Sequence, residues 1–148
     1  MTETTPALQS LTMVRRFDAA PDRVFDAWTD PPLAARWLFT GPDSEAHTVA
    51  FDMRVGGQWE IVDRRGGTDY RAIGEYLEIE RPRRLVFTFG MPQFAPGFSK
   101  VTVEIAPDGA GALMTMTHAD VPAEAVAGLE EGWSQMFGGL AQQLATGS

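Results

Sequence analysis

The sequence contains no cysteine and only two histidines, His47 and His118. The first absence excludes disulfides, thiolate nucleophiles and cysteine-ligated zinc, and it fits a reducing compartment. The second leaves too few imidazoles for a histidine metal centre, so neither a metal nor a cofactor is expected. Cations are also sparse: 12 Lys and Arg stand against 20 Asp and Glu, a formal net charge of −8. Nucleic acid and anionic membranes need clustered Lys and Arg, so neither is an expected partner, and the surplus of acid reads as solubility. No apolar run approaches the roughly 20 residues of a membrane span. Met1 to Pro6 has no apolar signal core. The expectation is a cytoplasmic protein, with residues 1–8 as a disordered tail and residues 9–146 as one domain.

What is present is a long amphipathic pattern at the end of the chain. Between Asp120 and Ala145, the residues Val126, Leu129, Trp133, Met136, Phe137, Leu140 and Leu144 recur at steps of three and four, the signature of a helix with one apolar face. Asp120 is the expected N-cap, with Pro122 in the first turn. Gly128, Gly132 and Gly139 form a second stripe beside that face. Each costs about 1 kcal/mol relative to alanine; close packing against a strand is the expected compensation, with cavity volume or a bend near Gly138-Gly139 as the alternatives.

Almost everything earlier alternates as strands do. Leu11 to Asp18 reads as the first. A short helix opens at Pro21 and stops at Asp30-Pro31-Pro32, because a residue before proline avoids helical angles. A second short helix is expected over Leu33 to Leu38. Six strands follow. His47, Val49, Phe51 and Met53 share one face of the first, and Trp59 and Ile61 one face of the next. Tyr70 to Ile79 forms a third. Leu85, Phe87 and Phe89 then line a fourth, Val101, Val103 and Ile105 a fifth, and Met114, Met116 and His118 alternate along the last. Gly56-Gly57, Gly66-Gly67 and Pro107-Asp108-Gly109 are the turns. Short turns make neighbours antiparallel. The fold class is α+β: a curved seven-stranded antiparallel sheet wrapped around the C-terminal helix, with two short helices after the first strand.

Several phrases then carry a resemblance. They are Arg15-Arg16-Phe17-Asp18-Ala19 leading into Val24-Phe25-Asp26-Ala27-Trp28-Thr29-Asp30, then Arg36-Trp37, Gly56-Gly57-Gln58-Trp59 and Gly74-Glu75-Tyr76-Leu77-Glu78-Ile79. Arg84-Leu85-Val86-Phe87-Thr88-Phe89, Thr117-His118 and Gly132-Trp133 complete the set. In this order and spacing, over about Leu11 to Leu144, the chain resembles the SRPBCC superfamily, with its START-like (birch-pollen-allergen-like) helix-grip fold. Within it, the chain is similar to the branch named after the activators of the heat-shock-protein-90 ATPase. The resemblance implies a cavity between sheet and helix that takes lipids, polyketides, aromatics or other small apolar molecules. It also implies a chaperone contact, because in the eukaryotic activators a domain of this kind touches the chaperone. The oligomeric expectation is a monomer or weak homodimer.

A cavity of that kind needs apolar walls and a few polar hooks. The candidate walls are Trp37, Phe51, Trp59, Phe87, Phe89, Met116, Trp133, Met136, Phe137 and Leu140; the plain alternative is that they fill the core. The candidate hooks are His47, Tyr76, Thr115, Thr117 and His118, the last on the inner face by its match to the family. Its alternative is a histidine satisfied by a backbone carbonyl. The loop from Gly90 to Ser99 carries Met91, Phe94 and Phe98, whose exposure costs roughly 1.5–3 kcal/mol each. It reads as a lid over the cavity, or as a loop packed elsewhere. Asp63 either lies at a strand end in solvent or shares the inward face of Trp59 and Ile61. In the second case it becomes an acid or base candidate.

Three functions follow. The first is non-catalytic binding of a small apolar ligand in a closed, mostly dry cavity. The second is a cyclase- or hydratase-type enzyme using His118 or Asp63 for proton transfer, which requires the two to face each other. The third is a protein-interaction module resembling the chaperone activators, with the Phe94 and Phe98 loop as its patch. No serine-nucleophile elbow, HExxH or phosphate loop is present.

Overall fold

The structure of the protein, a computed structural model, describes residues 8–40, 44–92 and 97–145. The strands are β1 (Gln9–Phe17), β2 (Ala46–Phe51), β3 (Gln58–Arg65), β4 (Thr68–Glu80), β5 (Arg84–Phe89), β6 (Ser99–Asp108) and β7 (Gly111–Val121). Helices α1 (Pro21–Thr29) and α2 (Pro31–Ala34) follow β1, and α3 (Val126–Ala145) closes the described chain after a 3-10 turn, Ala123–Ala125. The strands form one antiparallel sheet in the order β1-β7-β6-β5-β4-β3-β2. This is the expected α+β helix-grip architecture.

Local chemistry explains the hairpins. Gly66 and Gly67 take φ of +57° and +78°, the left-handed pair that a two-residue hairpin turn requires. That turn sets Arg65 against Thr68, Asp63 against Tyr70 and Ile61 against Ala72. Gly74 answers a different need. A Cβ there would lie 1.7 Å from the Thr88 carbonyl oxygen and 2.4 Å from Trp59 Nε1. Its bareness lets the Trp59 indole reach across β4 and donate to Thr88 O at 3.0 Å.

The core lies between the sheet, α1 and α3, and tryptophan is its main filler. Trp28 meets Trp37 edge-on with ring centroids 4.7 Å apart, and Trp133 at 5.8 Å. Every indole N–H has an acceptor. Trp28 donates to Met114 Sδ, Trp37 to Ala27 O, Trp59 to Thr88 O and Trp133 to His118 Nδ1. Large aromatic bodies are thus buried with no orphaned polar edge.

Several boundaries differ from the sequence expectation. Asp120 does not cap the long helix. It belongs to β7, with φ of +64°, and α3 begins six residues later at Val126. Pro31 and Pro32 open a helix rather than only ending one, since α2 runs Pro31–Ala34 with proline in its first turn, where a missing N–H is tolerated. Residues 35–39 are turns. Met53 lies beyond β2 and is exposed. The expected tail, residues 1–8, falls outside the described residues except for the exposed Leu8.

Candidate functional site

The inner face of β2–β5 carries much of the predicted wall, but it packs shut. Phe51, Trp59, Tyr76 and Phe87 surround, with Trp28, Leu38, Phe39 and Leu85, a void of about 10 Å³. That is space for about one water, so the closed, dry chamber expected from the sequence is absent there. Phe39 closes it. Its ring stacks on Trp59 with centroids 5.7 Å apart and an interplanar angle of 10°, and touches Phe89 at 5.1 Å and Trp133 at 5.5 Å. Its backbone N–H donates to Met136 Sδ, and its φ of +52° turns the ring inward. Burial pushes the Tyr76 phenol pKa upward, so it stays protonated.

On the other side of Phe39 lies an open cleft of about 720 Å³. One wall is the stretch from Ala35 to Thr40, including Trp37 and Phe39. The second is the inner face of β3 and β4, with Ile61, Asp63, Arg65, Tyr70 and Ala72. The third is α3, with Gly132, Gln135, Met136 and Gly139, and Met91 stands at the rim. The helix glycines acquire a role here. A Cβ on Gly132 would meet nothing within 4 Å, and one on Gly139 only Trp37 Cβ at 3.7 Å. They do not serve the close helix–strand packing taken as the default; both border the open space of the cleft, which is the cavity-volume alternative.

Asp63 is the polar centre of this cleft. Alternation along β3 turns Trp59, Ile61 and Asp63 inward, and all three are buried. Asp63 is 3% exposed, which corrects the expectation of a solvated strand end. Its Oδ2 pairs with Arg65 Nε at 2.9 Å, and the Arg65 guanidinium lies over the Tyr70 ring, 4.3 Å from the centroid. The other carboxylate oxygen, Oδ1, is buried without a hydrogen-bond partner. His47 stands directly opposite Asp63 on β2, and Tyr70 directly opposite it on β4. Both His47 nitrogens are also buried and unpartnered. Such atoms are rare in folded proteins because each has lost water without replacement.

His118 is a different case. It is buried, with Nδ1 3.1 Å from Trp133 Nε1 and Nε2 2.6 Å from Ser99 Oγ. An indole nitrogen only donates, so Nδ1 accepts and the ring proton sits on Nε2, donating to Ser99. The serine hydroxyl then donates to Phe89 O at 3.3 Å. Protonating Nδ1 would set two N–H groups against each other, and burial pushes the imidazole pKa down to about 4. The histidine is satisfied, as the alternative reading expected, though by Trp133 and Ser99 and not by a main-chain carbonyl. It lines no cavity with Asp63, so the facing pair that the enzyme reading requires does not form.

The other candidates divide cleanly. Met116, Trp133, Phe137 and Leu140 are buried core residues, and Phe89 packs against them partly covered. Thr115 and Thr117 alternate out of phase with the buried Met114, Met116 and His118, and so lie on the outer face. Met91 and Met136 reach the cleft. Phe94 lies outside the described residues, and Phe98 does not close the cleft: it is 58% exposed, over Gly90 and a separate groove on β3–β5. In the turn between β4 and β5, Arg81 pairs with Asp22 and Asp26, and Arg84 at the start of β5 pairs with Glu78 and Glu104.

Phe39, Arg65 and Tyr70 were not among the expected site residues. The signal for two of them was available: a two-residue Gly66-Gly67 turn places Tyr70 opposite Asp63 by counting, and alternation puts Arg65 on the face of Asp63. Nothing in the sequence marks Phe39, whose position depends on the turn after α2.

Residues 18–145 match the family model described as Activator of Hsp90 ATPase homolog 1-like protein. Among solved structures, the Mll3558 protein from Rhizobium loti is 29% identical, with 95% of this chain and 99% of that chain covered and a TM-score of 0.78. A protein from Arthrobacter aurescens is 27% identical over 93% of this chain and 87% of that one, with a TM-score of 0.81. SA2116 from Staphylococcus aureus, at 19% identity, covers 96% of each chain with a TM-score of 0.85 and shares the fold. No curated protein matches the chain. With the helix-grip topology and a family match over nearly its whole length, the chain belongs to the Activator of Hsp90 ATPase homolog 1-like family.

Proposed function

We propose that the protein binds a small, largely apolar molecule, without transforming it, in the cleft between α3, the turn after α2 and the inner face of β3–β4. One observation carries the reading. A cleft of about 720 Å³ has walls of Trp37, Phe39, Ile61 and Met136 and encloses a buried carboxylate with one oxygen unpaired. Its size falls within the range of small-molecule sites, as does its pattern of apolar walls around a few polar groups. The separation of His118 from Asp63 favours binding over proton-transfer chemistry. The apolar body of the ligand is lipid-, polyketide- or aromatic-like.

Nile red, a neutral apolar dye, tests the reading. Wild-type protein is expected to take up one equivalent with a blue-shifted emission. Gly132→Leu, which places a side chain in the cleft, is expected to weaken uptake at least tenfold, and Gly138→Leu, on the same helix but away from the cleft, to leave it unchanged. Equal uptake by all three proteins, or none by the wild type, overturns the proposal. Native mass spectrometry of protein purified from its own host then names the occupant.

A further inference from the structure

We propose that the occupant of the cleft carries a carboxylate, taken by Arg65 and Arg36. This inference rests on the ligand-binding reading of the cleft and names the polar group of its occupant. Charge is the first observation. The chain has a formal net charge of −8, yet the charged side chains lining the cleft are two arginines, Arg36 and Arg65, and one acid, Asp63. Two other open grooves have the reverse balance: Arg15 with Glu130 and Glu131 between β1 and α3, and Arg71 with Glu60 and Glu75 over β3–β5. The cleft is thus a positive site on an acidic molecule. The second observation is how Arg65 is held. Its Nε meets Asp63 Oδ2 at 2.9 Å and its guanidinium lies over the Tyr70 ring, while its side chain stays 46% exposed. Asp63 Oδ1 takes no hydrogen bond, so the pair is not two-pronged. Among the described residues no hydrogen bond uses the terminal nitrogens of Arg65, which a buried carboxylate and an aromatic face hold in place. Arg36 is exposed. The other arginines have an acid or a main-chain oxygen as partner; among the described residues Arg36 has neither.

These donors select the group. A guanidinium only donates, so an ammonium brings like charge and no acceptor. Asp63 Oδ1 offers it nothing, being buried out of a ligand's reach. A hydroxyl or an ester carbonyl accepts without charge, and a bond to an ionised acceptor is about twice as strong. A phosphate monoester brings a charge of about −1.5 to −2, more than two arginines and one aspartate balance. A carboxylate brings one charge and two coplanar oxygens, the match to the parallel N–H groups of a guanidinium edge. The apolar body of the molecule then lies along Phe39, Trp37 and Met136.

Equilibrium dialysis of the full chain at neutral pH against five naphthalenes tests this: 2-methylnaphthalene, methyl 2-naphthoate, 2-naphthoate, 2-(aminomethyl)naphthalene and 2-naphthyl phosphate. The expected result is that 2-naphthoate binds about tenfold or more tighter than its methyl ester, the scale of a hydrogen bond between charged groups, with the amine and the phosphate weaker than 2-naphthoate. Arg65→Gln is expected to erase most of that preference while keeping 2-methylnaphthalene binding. Arg36→Gln, at an exposed side chain, is expected to reduce it severalfold and serves as the readout if Arg65→Gln fails to fold. Lys100→Gln removes the same charge outside the cleft and is expected to leave the preference unchanged. Equal affinity for acid and ester, tightest binding of the amine or the phosphate, a preference that survives both arginine substitutions, or one that Lys100→Gln lowers as much overturns the carboxylate assignment but leaves the cleft a binding site. Failure of all five probes to bind removes both.

Discussion

Single side chains here differ in whether their hydrogen bonds close. The Trp133–His118–Ser99–Phe89 chain is complete, and its electrostatics set a pH dependence. The unfolded histidine takes up a proton near the ordinary value of 6.5, whereas the buried one resists until about 4. Stability from the neutral ring is therefore full above pH 6.5 and is lost as pH falls from there to 4, in total about 3 kcal/mol. Urea unfolding of wild type and His118→Gln at pH 7.5 and pH 4.5 checks this; the wild type should lose more than the variant, by roughly that amount. Trp133→Phe keeps most of the packing but strands Nδ1, and should cost about 1–3 kcal/mol at neutral pH in the same assay. The inward direction of His118 came from its match to the family, because both faces of β7 are partly apolar and alternation alone leaves the choice open. Its partners were not legible, because Ser99 and Trp133 meet it only through tertiary packing. Asp63 was ambiguous for a related reason. Alternation offered the inner face, but burial depends on how far β3 continues, and it continues to Arg65.

At the scale of elements, α3 is a helix with its propensity deliberately lowered. Cβ atoms on Gly128, Gly132 and Gly138 would each meet nothing within 4 Å, so alanine fits and removes the glycine penalty. Each replacement should stabilise by up to about 1 kcal/mol, read as a melting temperature higher by about 2–4 °C. Gly74→Ala in β4 should do the opposite. Its Cβ would collide with the Thr88 carbonyl and the Trp59 indole, and a loss of about 2–3 kcal/mol or more in urea unfolding is expected. The number of strands and the antiparallel pairing of neighbours joined by turns could be read from turn residues and alternation; the pairing of β1 with β7, which no turn joins, could not. Nor could the start of α3. Asp120 offers a good cap in isolation, yet Val121 pairs with Gln9 of β1, and that ladder holds the chain extended past Asp120.

For the molecule as a whole, Phe39 divides one interior into a filled part and an open part. Phe39→Ala should join the void to the cleft. It should raise Nile red capacity or affinity while lowering stability by about 2–4 kcal/mol, since the ring is only partly buried. The tryptophan arrangement that fills this interior has an optical consequence. Trp28, Trp37 and Trp133 lie within 6 Å of one another through Trp28, and Trp59 joins them by its stack on Phe39. Indoles at such separations couple their strong far-ultraviolet transitions, so far-ultraviolet circular dichroism should show a paired positive and negative band that Trp28→Phe diminishes. Because Trp37 and Phe39 also border the cleft, an occupant there shifts that band, and the folded chain reports on its own filling without an added label.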